Sequence, residues 1–275
     1  MNIDCEIITI VPRNVDYPAY RRRLKELAPY FNRIHYVFSY NSYCENVVDY
    51  KELIREDTSF CNFIEVDMAN LNEHWYDAAM TRGINQCASE YILILEPDFI
   101  FDVKELINVL STFTRDILTY GICPTEHPIV GKIYPRLSPA FFMVRRSLVL
   151  QTSQDFSEGM TDNYIDFEHN SDGSTTLIKY PTDEKHLVDC FNKFTNELLG
   201  LTTDICLLSD LDVNTFHYAG ITHNFTLCRM GCFDTLHKVS EFVKYLQDNL
   251  NIDGVAYHQT YIDETNAYLA AIAAL

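Results

Sequence analysis

EYILILEPDFIF, residues 90–101, carries five unbroken apolar residues from Tyr91 to Leu95 and then two acids, Glu96 and Asp98, on either side of a proline. A short apolar run of this kind predicts a strand buried on both faces, as in a parallel sheet. Proline has no N–H to give to a ladder, so the strand is expected to end near Pro97. Glu96 and Asp98 then stand at its carboxyl end, the edge at which open α/β sheets bind ligands. Two carboxylates held there on short backbone can share a hard cation, Mg2+ or Mn2+, with phosphate oxygens completing the shell. The competing reading is a solvated acidic turn that caps a helix starting near Val103.

Outward from this strand the pattern alternates. Apolar, β-branched stretches at residues 6–11, 33–39 and 62–66 predict strands. Helical spacing of apolar residues at 17–30, 47–55 and 72–88 predicts helices between them. Strands alternating with helices imply a mostly parallel sheet with right-handed crossovers, an α/β fold flanked by helices. Further along, residues 103–114 read as a helix, 117–124 and 139–144 as strands, 126–138 as a loop or hairpin, and 145–152 as a helix or turn. Residues 155–179 are rich in Asp, Asn, Ser and Gly and read as a mobile loop, a common place for a substrate lid. A helix is expected at 183–199, a short strand at 204–209, and a loop with His217 and His223 at 214–224. Residues 235–249 form a clean amphipathic pattern, and the apolar tail 261–275 reads as a last helix. These divisions suggest a main domain over 1–232, with a break near 102, and a helical extension over 233–275.

The bulk composition narrows the class. No apolar run approaches the roughly 20 residues of a membrane span. The first residues carry acids where a secretion signal needs positive charge. Nine cysteines, with no CxxC pair, suggest reduced thiols and a cytoplasmic setting. A net charge of −18 argues against binding nucleic acid through the whole surface, although six basic residues face only two acidic ones between residues 13 and 33. That segment reads either as the solvated face of a helix or as a site for an anionic ligand. The chain has neither GxGxxG nor GxxxxGK[ST], so a dinucleotide enzyme and a P-loop NTPase are disfavoured. It has no GxSxG elbow either.

Three other groups bear on chemistry. His217 follows a strand-like segment and lies near Gly220; its neutral imidazole suits Mn2+ as an added ligand, against the alternative of a structural histidine. Asp183 and Glu184 precede the predicted helix, either as caps or as a general base for a hydroxyl nucleophile. His223, Cys228, Cys232 and His237 have loosely zinc-like spacing in an unusual order, and core thiols near a helix start are the blander reading.

The order of these motifs resembles the family 2 glycosyltransferases of the GT-A fold, over roughly residues 5–225. IITIVPRN, residues 7–14, looks like that family's opening strand and the turn over the nucleotide. The helix with Gly83-Ile84 and the strand running into Glu96-Pro97-Asp98 look like the approach to its DxD motif. PAFFMVRR, residues 139–146, resembles its aromatic segment beside the acceptor, and Phe216-His217 with Gly220 its metal-binding histidine loop. Three departures stand out. Ser39-Tyr40-Asn41-Ser42 replaces the acidic pair that holds the base, Met80-Thr81-Arg82 replaces an Arg-Asn step, and Glu replaces the first Asp of DxD. The resemblance implies a nucleoside-diphosphate sugar as donor, with Pro12, Arg13, Asn14, Asn41, Arg82, Pro97 and His223 around it. It implies Mn2+ or Mg2+ on Glu96, Asp98 and His217, Asp183 or Glu184 as the base, and transfer with inversion. Arg145 and Arg146 are implied at the acceptor, which is a glycan, a small molecule or a modified base in DNA. The alternatives are a nucleotidyltransferase and an inactive nucleotide-sugar-binding domain. The C-terminal helices are a candidate surface for a homo-oligomer.

Overall fold

The structure, a computed structural model, describes residues 2–12, 18–40, 55, 58–67, 71, 75–97, 99–123, 126–127, 131–132, 136–156, 159–169, 175–188, 191–211, 213 and 215–217. The C-terminal extension, the zinc-like set, nearly all of the helix expected at 47–55, and Arg13, Asn14, Asn41, Asp98 and His223 lie outside them.

The chain opens with β1 (Ile3–Pro12), α1 (Pro18–Leu27), β2 (Phe31–Tyr40), β3 (Asn62–Asp67), α2 (Trp75–Gln86), β4 (Tyr91–Leu95), β5 (Phe99–Phe101) and α3 (Val103–Leu110). Short strands follow: β6 (Ile117–Thr119), β7 (Ile122–Cys123), β8 (Glu126–His127), β9 (Gly131–Lys132) and β10 (Arg136–Leu137). Then come β11 (Phe141–Arg145), α4 (Arg146–Val149), β12 (Gly159–His169), β13 (Thr175–Val188), α5 (Asn192–Leu201), β14 (Ile205–Leu207) and β15 (Thr215–His217).

Seven strands form one sheet in the order β14-β6-β11-β4-β1-β2-β3. All are parallel except β11, which runs antiparallel to both β4 and β6. This is the α/β class expected from the alternation. Because side chains alternate across a strand, β1 feeds two cores. Cys5, Ile7 and Val11 join Leu24 and Leu27 of α1 and Leu106 and Leu110 of α3 on one face. Ile8 and Ile10 join Ala79 and Met80 of α2 and Phe194 and Leu198 of α5 on the other. Gly83 lets α2 sit close to β1, since a Cβ there would meet Cγ2 of Ile8 at 2.8 Å. No helix among the described residues is long and apolar enough to cross a membrane.

The strand order sets the place of a site. From β1 the chain builds one way through β2 and β3 and then returns to place β4 on the other side. Such a reversal leaves a crevice outside the carboxyl ends of the two central strands. Here those ends are Pro12 and Leu95.

Two expectations are corrected. Residues 155–179 are not a loop: β12 and β13 form a long antiparallel hairpin, from Gly159 opposite Val188 to His169 opposite Thr175. Its polar residues hid the strand formers, which stand opposite one another in register as Tyr164 with Tyr180 and Phe167 with Leu177. Asp183 and Glu184 consequently lie within β13, and the next helix starts only at Asn192.

Candidate functional site

At the carboxyl end of β4 the chain turns at once. The Phe99 N–H donates to the Glu96 carbonyl at 3.2 Å, and the Glu96 N–H donates to the Ala140 carbonyl of the β11 approach at 2.9 Å. Proline at the second of four residues suits this reversal, because its φ is already set. Pro97 is buried and Glu96 half-buried. Directly after the turn, β5 pairs with β15, with Thr215 opposite Phe101 and His217 opposite Phe99. The backbone of His217 therefore lies across from the residue that follows Asp98. Two of the three expected metal ligands, Glu96 and His217, thus reach one edge from distant parts of the sequence. Pro12 ends β1 at the same edge of the sheet.

The turn is held from beneath by a residue that the sequence reading did not single out. Arg23 of α1 is fully buried. Its Nη1 donates to the Phe99 carbonyl at 2.7 Å and its Nη2 to the Pro97 carbonyl at 3.5 Å. Its guanidinium lies 5.5 Å from the ring centre of Phe101. The basic segment therefore includes a cation inside the fold, neither on a solvated face nor open to a ligand. The signal was present: Arg23 lies three residues after Tyr20 and four before Leu27, at the spacing of the apolar stripe.

Other expected residues stand elsewhere. Arg82 is exposed on α2, and its Nη1 donates to the Glu65 carbonyl of β3 at 3.2 Å. Arg145 pairs in register with Tyr91, the first residue of β4. It and Arg146 are at the amino edge of the sheet, about 17 Å from Glu96 at the usual rise per residue. Arg145 bonds Asp116 at 2.9 Å, pairs with Glu90, donates to the Thr114 carbonyl and covers the Tyr91 ring at 4.9 Å. Nε of Arg146 donates to the Cys87 carbonyl at 2.9 Å. Both arginines, expected at the acceptor, are engaged at this edge, because β11 runs antiparallel and carries its last residues toward the start of β4.

A second polar group sits on the α2 face of the sheet. Glu6, His35 and Cys87 bring potential ligand atoms within 4.8 Å of one another, and all three are buried. Glu6 takes hydrogen bonds from His35 Nε2 at 2.6 Å, the Ala88 N–H at 3.0 Å, and the Ser89 N–H and hydroxyl at 3.2 and 3.1 Å. Asn62 Nδ2 donates to His35 Nδ1 at 3.0 Å, so the lone pair a metal would need is engaged and Nε2 bears the proton that Glu6 accepts. Burial pushes the Cys87 thiol well above its usual range. The group is a hydrogen-bonded node joining β1, β2, β3 and the end of α2. Cys5, Cys61, Cys87 and Cys206 are all free thiols.

No family model and no curated protein matches the chain. Among solved structures it is similar to residues 1–349 of TarS from S. aureus, at 12% identity and TM-score 0.41, over 96% of this chain and 70% of that one. It is also similar to the mannosyltransferase PcManGT from Pyrobaculum calidifontis, in complex with GDP-Man and Mn2+, at 11% identity and TM-score 0.37, over 100% and 87%. The inositol-1-phosphate CTP transferase from T. maritima matches at 10% identity and TM-score 0.41, over 77% and 88%. Values of this size leave the chemistry to be argued from the residues.

Proposed function

We propose that this chain is a glycosyltransferase that moves a sugar from a nucleoside-diphosphate sugar to an acceptor hydroxyl, with Mn2+ or Mg2+ and with inversion. The observation that carries this reading is the turn from Glu96 to Phe99 at the carboxyl end of β4, beside the end of β1, with β15 paired to the strand that follows it. A pair of acids at that place in an open α/β sheet faces a ligand rather than a core. Glu96, Asp98 and His217 would hold the metal, an oxygen-rich set with one imidazole that fits Mn2+. When bound, it neutralises charge developing on the departing diphosphate. Pro12, Arg13 and Asn14, at the end of β1, would border the donor, with Asn41 after β2 and His223 beyond β15.

Asp183 or Glu184 would take the proton of the acceptor hydroxyl. Capping was the competing role for these acids, and it needs the free N–H groups of a helix start, which β13 does not offer. With Arg145 and Arg146 engaged at the amino edge, the acceptor is left to the other residues of the crevice.

The test is thermal stability against a panel of nucleoside-diphosphate sugars, each with and without Mn2+. A ligand that binds the folded chain raises its melting temperature by mass action. A metal-dependent shift with one donor, absent in Asp98→Ala, is the expected result. No shift with any donor would overturn the reading. A shift with nucleoside triphosphates alone would replace it with a nucleotidyltransferase.

A further inference from the structure

We infer that Arg23 is a positioning residue for the Glu96-Pro97-Asp98 turn. The inference deepens the proposed function and rests on its reading of that turn as the metal and donor edge. The two carbonyls that Arg23 holds belong to Pro97 and Phe99, the residues immediately before and after Asp98. Holding both carbonyls restrains the peptide that leads into Asp98 and the one that leaves Phe99, so the turn is tied on either side of the acid. A guanidinium does this well, because its donors form one rigid planar fork.

Stability alone does not account for an arginine here. Leu24 and Leu27 on the same helix are fully buried against the same core. An apolar side chain of similar length would pack among them without the cost of taking a charge out of water. The buried charge is compensated by two backbone acceptors and by the face of Phe101. What an apolar side chain could not do is hold a turn that has left the sheet. β4 stops at Leu95, and the short β5 has only three residues in its ladder with β15. Arg23 thus ties the first helix to the turn.

The experiment compares Arg23→Met with Leu27→Ala, a buried truncation on the same helix. Amide hydrogen exchange reports local opening, read for residues 96–101 against β1 and β2 of the same variant. In Arg23→Met, exchange at 96–101 is expected to rise about tenfold beyond any change in β1 and β2, whereas in Leu27→Ala the segments rise together. Affinity for Mn2+ alone, measured by electron paramagnetic resonance, is expected to fall at least about tenfold in Arg23→Met and to hold in Leu27→Ala, as for other residues that orient metal ligands. Arg23→Lys keeps the charge but has no fork, and should fall between; it decides the same comparison if Arg23→Met does not fold. Unchanged relative exchange at 96–101 would overturn the inference. Faster exchange there, in a protein whose wild type binds no Mn2+, would uphold the clamp and refute the metal edge instead.

Discussion

Glu6 and His35, on adjacent parallel strands, share a 2.6 Å hydrogen bond inside the sheet, with 5% and 0% of their surfaces exposed. Burial holds His35 below its ordinary value of 6.5, against the pull of Glu6. Burial pushes the Glu6 carboxyl up, but the hydrogen bonds from His35, Ala88 and Ser89 outweigh it and leave the pKa below its ordinary 4.5. In both cases the unfolded chain takes a proton more readily than the folded one. Stability is therefore complete above the unfolded values and is lost as pH falls. The His35 loss is expected to begin below about pH 6.5, and the Glu6 loss to follow below about 4.5. Denaturant titrations between pH 8 and pH 4 would check this, and stability that rises on acidification would refute it.

Replacing Glu6 by Ala should destabilise the chain by about 3 kcal/mol at pH 7, since it leaves His35, two backbone N–H groups and a hydroxyl without their acceptor. His35→Ala in the Glu6→Ala background should cost clearly less than His35→Ala alone. A double-mutant cycle measures that coupling.

Gly83→Ala tests the approach of α2 to β1. Alanine is the better helix former by about 1 kcal/mol. The new methyl would press on Cγ2 of Ile8, a fully buried residue with no room to retreat. Overpacking of this kind costs about 1–3 kcal/mol, so a net loss of about 1 kcal/mol is expected. Urea unfolding would read it, and Ile8→Ala should relieve the clash.

Arg145→Met separates a structural arginine from one that binds an acceptor. It removes the contacts to Asp116, Glu90, the Thr114 carbonyl and the Tyr91 ring, at a side chain 27% exposed. Partly exposed ion pairs are weak, so a loss of about 1–2 kcal/mol is expected. Turnover with any acceptor should keep its KM, and a rise of tenfold or more would return Arg145 to the site.

Phe191 adopts φ 76 ahead of α5 and is fully buried, with ring centres of Phe142 and Phe194 each at 5.2 Å. Phe191→Ala is expected to cost about 3–5 kcal/mol through the cavity it leaves. Thermal unfolding would show it, and a change below 1 kcal/mol would mean that the cluster closes around the gap.

The parts of the fold legible in the sequence were those whose signal is local. The apolar run Tyr91–Leu95 became β4 with those bounds, and Pro97 took the turn assigned to it. The helix ahead of it and the first strands followed from apolar spacing. What escaped depends on partners far along the chain. A two-stranded ribbon needs no continuous apolar run, so β12 and β13 read as a loop. Arg23 was counted by its charge, although its position on the apolar stripe pointed inward. Nothing within PAFFMVRR tells that β11 runs antiparallel, and that direction carries Arg145 to the far edge. The ladder of β15 with β5 sets the His217 backbone opposite Phe99, a long-range pairing that no local pattern announces.

That ladder also has a consequence for how the protein is made. A ribosome that has released the first hundred residues has delivered β1 to β4, Arg23 and both acids of the turn. The strand that belongs between β4 and β6, and the partner of Phe99–Phe101, are still to be translated. The carboxyl edge is finished only after Thr215–His217 emerges, so a nascent or prematurely stopped chain carries the acidic turn without its frame. Chaperone contact during synthesis should accordingly persist until translation has passed residue 217.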